Sequence, residues 1–267
     1  MENLAPNNKR IVKNTLLLYV RMLFLMVVSL YTSRVVLNAL GIEDFGIYNV
    51  VGGMVAMFSM LSGSLSAAIT RFITYELGRG DREKLRTIFS SAVTIQLGLA
   101  AIIIILAEVL GIWFLNSKMT IPLDRLAAAN WGFQFSVLTF AINLVSVPYN
   151  ASIIAHERMS AFAYISIFEA VGKLAIAYLI TISPIDRLVF YAILMCAVAL
   201  IVRFTYGIYC KRHFEECMYH FIFDKNLLKD MFGFAGWNFI GASSSVLRDQ
   251  GGNVVINLFC GPAVNAA

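Results

Sequence analysis

The fold class this sequence predicts is an all-α polytopic membrane bundle, one six-helix lobe followed by the first helix of a second lobe. Three observations predict it. Seven apolar runs follow one another along the 267 residues, each near the roughly 20 residues a helix needs to cross about 30 Å of hydrocarbon. Apolar residues make up 59% of the chain, charged residues 14%, and the mean hydropathy is +0.76. A soluble domain sits nearer about half apolar and a quarter charged. The Lys and Arg residues gather in alternate loops and line no single stripe, so nucleic acid does not account for the net charge of +5. Lipid offers no partner to a bare N–H or C=O, and runs this long without strict alternation are helices, not barrel strands.

Taken in order, the runs extend approximately from Leu16 to Val36, Ile47 to Ile69, Ala92 to Trp113, Ala127 to Tyr149, Ala161 to Ile182, Leu188 to Tyr209 and Phe232 to Phe259. Lys9, Arg10 and Lys13 precede the first. Arg71, Arg79, Arg82, Lys84 and Arg86 follow the second, Arg158 the fourth, and Lys211, Arg212, Lys225 and Lys229 the sixth. The alternate loops hold only Lys118, Arg125 and Arg187, and the first of them carries Glu43 and Asp44 with no base. The positive-inside rule therefore predicts a cytoplasmic N-terminus. The first run is too long for a signal-peptide core and lacks a small-x-small cleavage site, so it reads as a retained anchor. Cys196, Cys210, Cys217 and Cys260 have no disulfide-framework spacing and read as free thiols.

No loop is large enough for a folded domain. The segment from Arg71 to Arg86, broken by Gly78-Arg79-Gly80-Asp81, reads as an interfacial elbow, with Phe72, Ile73, Leu77, Leu85 and Ile88 available to lipid. Asp224 to Phe232 reads as a second elbow. After it the seventh run starts in the same direction as the first, and both runs end in Asn with Gly close behind: Gly41 three residues after Asn38, Gly261 four after Asn257. A parallel repeat gives this pattern. Residues 1–223 are then the first lobe, and 224–267 the elbow and first helix of a second lobe that the chain leaves incomplete.

Ionisable groups inside spans cost roughly 2.5 to 3.5 kcal/mol each and mark pathways or pairs. Arg21 lies about 12 Å in from Lys13, which strains snorkelling and favours a position facing the bundle, with Asn14 on the same face. Arg34 lies near the outer end of the first span, where snorkelling and function weigh equally. Glu169 and Lys173 stand at mid-span with i, i+4 spacing, either as a self-neutralising pair or facing a cavity. Arg248 and Asp249 point about 100° apart beside Gly251 and Gly252, as in a broken span lining a cavity, or as a packing notch. Glu108 and Arg203 read as snorkellers near their span ends. Cys210, His213, Cys217 and His220 spread over about 15 Å of helix, too far for one zinc ion. No metal or cofactor is expected. Nor does any catalytic motif stand in a context that argues for an enzyme.

Ser33-Arg34-Val35-Val36-Leu37-Asn38-Ala39-Leu40-Gly41-Ile42-Glu43-Asp44-Phe45-Gly46-Ile47-Tyr48 resembles the segment leaving helix one in the polysaccharide (O-antigen or capsule-unit) flippases of the multidrug/oligosaccharidyl-lipid/polysaccharide exporter superfamily. Arg71-Phe72 through Gly78, Asp81 and Lys84, and Pro148-Tyr149-Asn150-Ala151 with His156-Glu157-Arg158, resemble the family's two inner loops. The resemblance covers the whole chain. It implies two six-helix lobes facing as a V, and a lipid-linked oligosaccharide whose diphosphate meets basic cavity residues. Arg21 and Arg34 match that role, while Lys173 and Arg248 enter on their own membrane depth. Glu169 and Asp249 are candidates for coupling or charge pairing.

The implied partners are the lipid-linked oligosaccharide, membrane lipids and other polysaccharide-assembly membrane proteins, with no nucleic acid. Gln134 and Asn143 are candidates to meet sugars, and Trp131 to stack on them. The leading expectation is an undecaprenyl-diphosphate-linked oligosaccharide flippase working by alternating access. A drug or organic-cation exporter is the alternative, although span one has two arginines and no acid. A membrane glycosyltransferase or ligase using lipid-linked sugars is a third reading, with Glu43 and Asp44 its only acidic candidates.

Overall fold

The computed structural model describes residues 4–56, 59–117, 119, 121–220, 222, 224, 225, 227–241 and 244. Among them every regular element is a helix, as expected for a multi-pass membrane bundle. They are α1 (Leu4–Leu40), α2 (Ile42–Ala56), α3 (Ser59–Arg79), α4 (Arg82–Leu106), α5 (Ile112–Ser117), α6 (Leu126–Ala155), α7 (Met159–Leu179) and α8 (Arg187–His213). Residues 227–241 are also helical. Among the described residues, five stretches are individually long and apolar enough to cross a membrane: Ile11–Leu40, Arg82–Ser117, Leu126–Ala155, Met159–Ile182 and Arg187–His213. The expected span from Ile47 to Ile69 is helical on either side of residues 57–58, which lie outside the described residues. α3 runs on past Ile69 into the charged segment from Arg71 to Arg79. The seventh expected span begins in helix 227–241, and its remainder lies outside the described residues.

Local chemistry sets the boundaries. α1 ends at Gly41, whose φ of +85° lets its N–H reach Leu37 O at 2.9 Å, the αL stop that glycine adopts without strain. Gly80, at φ +74°, ends α3 in the same way by donating to Glu76 O at 3.0 Å. Asp81 then caps α4, accepting from the Lys84 N–H. The expected interfacial elbow is therefore a tight hairpin. Ile73, Leu85 and Ile88 are buried in a cluster with Ile69, Ala92, Ala151 and Met231, and Phe72 and Leu77 pack on it. These side chains meet protein and not lipid, because α3 carries its apolar stripe past Arg71 and α4 mates with it. Pro148 to Ala151 likewise belong to α6, which continues to Ala155. The turn after it is only His156–Arg158, with Glu157 in the left-handed region and Arg158 N–H bonded to Ile153 O.

α6 is the central helix. It touches α2, α3, α4, α5, α7 and α8, and 56% of its apolar window is buried, against none of that of α1. α1 rests mainly on α7 through one stripe ending in Val36, Ala39 and Leu40, which cluster with Ile176, Ala177, Ile180 and Tyr191.

The loops gather at two ends in the alternation the sequence predicts. At one end, Arg125 binds Asp44 through Nε at 2.8 Å and through Nη2, and Asp186 through Nη1 at 2.6 Å, while Arg187 donates to Ala39 O. These contacts join the first, third and fifth loops. Asp186 also caps α8 by accepting from the Leu188 and Val189 N–H groups. Partial burial raises its carboxyl, but Arg125 and the cap outweigh that and hold it below its usual range. At the other end, Arg82 pairs with Glu215 and His156 with Glu216 at 2.5 Å. Lys84 reaches the buried Glu76 carboxylate at 3.2 Å. Burial works against ionisation of Glu216, and the His156 hydrogen bond overcomes it and lowers its pKa.

Candidate functional site

A cavity of about 410 Å³ opens between α1, α2, α7 and α8. From α1 it receives Arg21, Leu25, Val28, Ser29, Thr32, Ser33 and Val36, the successive turns of one helical face. Across from them α7 presents Ser166, Glu169, Ala170 and Lys173, and α2 and α8 close one end with Tyr48, Asn49 and Tyr191.

The Arg21 guanidinium lies 4.3 Å from the centre of the Phe162 ring, a cation–π contact. Its Nε and the Thr32 hydroxyl are buried and have no hydrogen-bond partner among the described residues. Lys173 Nζ donates to Glu169 Oε1 at 2.6 Å, and both side chains are partly exposed. Two cations and one anion thus line a single cavity, and the Arg21 Nε donor has no acceptor among the described residues. Such a site suits an anion that can take the directed N–H groups of a guanidinium.

The other sequence candidates are distributed differently. Arg34 is exposed and lies outside the cavity. Thirteen residues after Arg21, it stands about 220° around the helix, so helical phase separates two residues that membrane depth had grouped. Arg248 and Asp249 lie outside the described residues. Gln134 donates to Glu108 Oε2 at 3.1 Å, so Glu108 is held within the bundle and does not snorkel. Arg203 also turns inward, 3.9 Å from the centre of the Tyr149 ring. Trp131 is exposed, stacked beside Phe135 on the outer face of α6, away from the cavity. Asn143 lines a second cavity of about 270 Å³. His213 Nδ1 lies at 2.9 Å from Tyr209 O, and His220 contacts Arg86, so these rings are engaged with different neighbours.

Sequence reasoning missed Tyr48, Thr32 and Ser166 as cavity residues. Thr32 was accessible from phase, since it falls eleven residues after Arg21, about 20° from the same line. Tyr48 and Ser166 were not, because only packing between helices brings them to the cavity.

A family model described as polysaccharide biosynthesis protein matches residues 11–267. An uncharacterized membrane protein, EpsK of Bacillus subtilis (strain 168), is 22% identical over 124 residues, which cover 46% of this chain and 24% of that protein. The chain thus matches about a quarter of the length of that curated relative. No solved structure matches.

Proposed function

The chain belongs to the polysaccharide biosynthesis protein family, and we propose that it acts in a flippase moving undecaprenyl-diphosphate-linked oligosaccharide units from the cytoplasmic to the periplasmic leaflet. The observation that carries this reading is the cavity lined by Arg21, Glu169 and Lys173. A diphosphate crossing hydrocarbon has to stay compensated, and a guanidinium with an unpartnered Nε beside a second cation supplies both charge and directed hydrogen bonds. The isoprenoid tail needs no pocket, because lipid solvates it at the open side of the cavity. Nothing in this chemistry makes or breaks a covalent bond; the protein is a transporter in this reading, not an enzyme.

Alternating access follows from two lobes rocking about a fixed site. In this reading residues 1–223 are the first lobe and 224–267 the start of the second, with Arg248 and Asp249 remaining candidates on sequence alone. The N-terminus and the α3–α4 turn face the cytoplasm of a bacterial inner membrane. The polysaccharide-assembly machinery of the same membrane supplies the substrate and removes the product.

The test is transport of lipid-linked oligosaccharide by the full-length protein in sealed vesicles. Arg21→Gln is expected to lose most of the flux and Arg21→Lys part of it, at normal expression, since lysine keeps the charge but not the fork. Full flux in Arg21→Gln would overturn the cationic-cavity reading.

A further inference from the structure

The second cavity lies between α2, α6 and α8 and shares Tyr48 and Met195 with the first, so the two adjoin across those side chains. Its chemistry differs. Arg21, Glu169 and Lys173 line the first cavity, whereas every residue lining the second is uncharged. Its polar groups are Ser136, Thr139 and Asn143, which lie on one face of α6 at spacings of three and four residues. Ser136 Oγ donates to Gly132 O at 2.8 Å and Thr139 Oγ1 to Phe135 O at 2.7 Å. Each hydroxyl has thereby committed its proton; Ser136 keeps both oxygen lone pairs for an outside donor, and Thr139, which also meets the Cys196 thiol, keeps one.

Asn143, one turn further, is exposed, and its amide has no hydrogen-bond partner among the described residues. It lies about 26 Å along α6 from Leu126, well within the span, where an amide left to hydrocarbon would be costly. An amide in that position is accommodated by a polar ligand or water in the cavity.

We infer that this side cavity is the saccharide subsite of the transported lipid-linked oligosaccharide, and that Asn143 and Thr139 set which sugar is accepted; the inference rests on the flippase reading. Two hydroxyl acceptors and one amide with both donors and an acceptor, each about one turn from the next, match the vicinal hydroxyls of a sugar ring. Tyr48 and Phe140 add aromatic faces for its C–H groups. The absence of charge in the lining suits a neutral polyhydroxyl group and leaves the diphosphate to Arg21 next door. Gln134, the other amide on α6, is taken by Glu108 and has no place in the subsite.

The experiment measures retention of two ligands by the full-length protein in nanodiscs: bare undecaprenyl diphosphate, and the lipid-linked oligosaccharide pool extracted from the source membranes. Asn143→Leu is expected to lower retention of the sugar-bearing pool about tenfold, the loss of roughly one well-made hydrogen bond, and to leave the bare diphosphate unchanged. Thr139→Val, nearly isosteric, should shift the same ratio in the same direction and serves if Asn143→Leu fails to fold. Arg21→Gln should lower both ligands together. Unchanged retention in both α6 variants, or equal loss of the two ligands, overturns the subsite. If the wild-type protein retains neither ligand, the flippase reading itself falls and the subsite with it.

Discussion

Lys173 and Glu169 share one turn of α7, and their side chains remain 42% and 33% exposed, so solvent in the cavity screens them and the pair adds little to stability. Its meaning lies in the field it presents. With Lys173 in place, the Glu169 carboxylate is compensated and the net charge beside Arg21 is positive. Lys173→Gln leaves that carboxylate bare, facing a diphosphate of like sign. The expected outcome is that Lys173→Gln loses more transport than Glu169→Gln/Lys173→Gln, because the second change removes the repulsion that the first exposed. Flux through the three variants in vesicles checks this; a double variant showing the sum of the two single losses would indicate that the residues act independently. At this scale much was legible. Spacing alone paired Glu169 with Lys173, and depth alone singled out Arg21. What spacing could not supply was the opposing wall, and hence the reason Arg34, equally basic and in the same helix, stands apart.

α4 does not reach α5 as a regular helix. A π-turn at Ala107–Gly111 intervenes, and Glu108 on it meets Gln134 of α6. Gly111 sits against the Phe133 ring so closely that a Cβ there would lie 2.3 Å from the ring's Cζ. Phe133 is itself 2% exposed, packed with Val51, Leu115 and Leu188, and has nowhere to retreat. Gly111→Ala is therefore expected to destabilise the lobe by about 1–3 kcal/mol through overpacking. Phe133→Leu in the same background should recover part of that loss by vacating the contested space. Thermal unfolding of the detergent-solubilised protein measures both, and a Gly111→Ala protein as stable as wild type would show that the helices shift apart without cost. The turn was invisible in the apolar run from Ala92 to Trp113, because a one-residue insertion in a helix changes no residue type. The αL stops at Gly41 and Gly80 were visible, since glycine after a span is itself the signal.

The helix bundle is organised by its two charged ends. Arg125 gathers the first, third and fifth loops through Asp44 and Asp186, and a separate set of contacts from Arg82, Lys84 and His156 gathers the second, fourth and sixth. Sequence reading placed the loops on alternate sides from Lys and Arg counts alone, and the contacts agree, because loops on opposite sides of a bilayer could not pair. It ended the second span at Ile69, where the apolar run stops, whereas α3 continues to Arg79. It also gave Ile73, Leu85 and Ile88 to lipid, although they are buried, since apolar pattern does not say whether a face meets lipid or a neighbouring helix. The ends are equivalent by geometry, and the Lys/Arg bias predicts which is cytoplasmic: Arg79, Arg82, Lys84, Arg86 and Arg158 against Lys118, Arg125 and Arg187. With Cys196, Cys210, Cys217 and Cys260 replaced by alanine, single cysteines at Leu123, which is 90% exposed, and at exposed Arg82 report the two ends separately. A membrane-impermeant maleimide added to intact cells is expected to label Leu123→Cys at once and Arg82→Cys only after permeabilisation. Since Arg82 and Leu123 lie on opposite ends of one packed lobe, the reverse labelling would invert every loop together. The proposed direction of transport would then have to be reversed, while the cavity at Arg21 kept its chemistry.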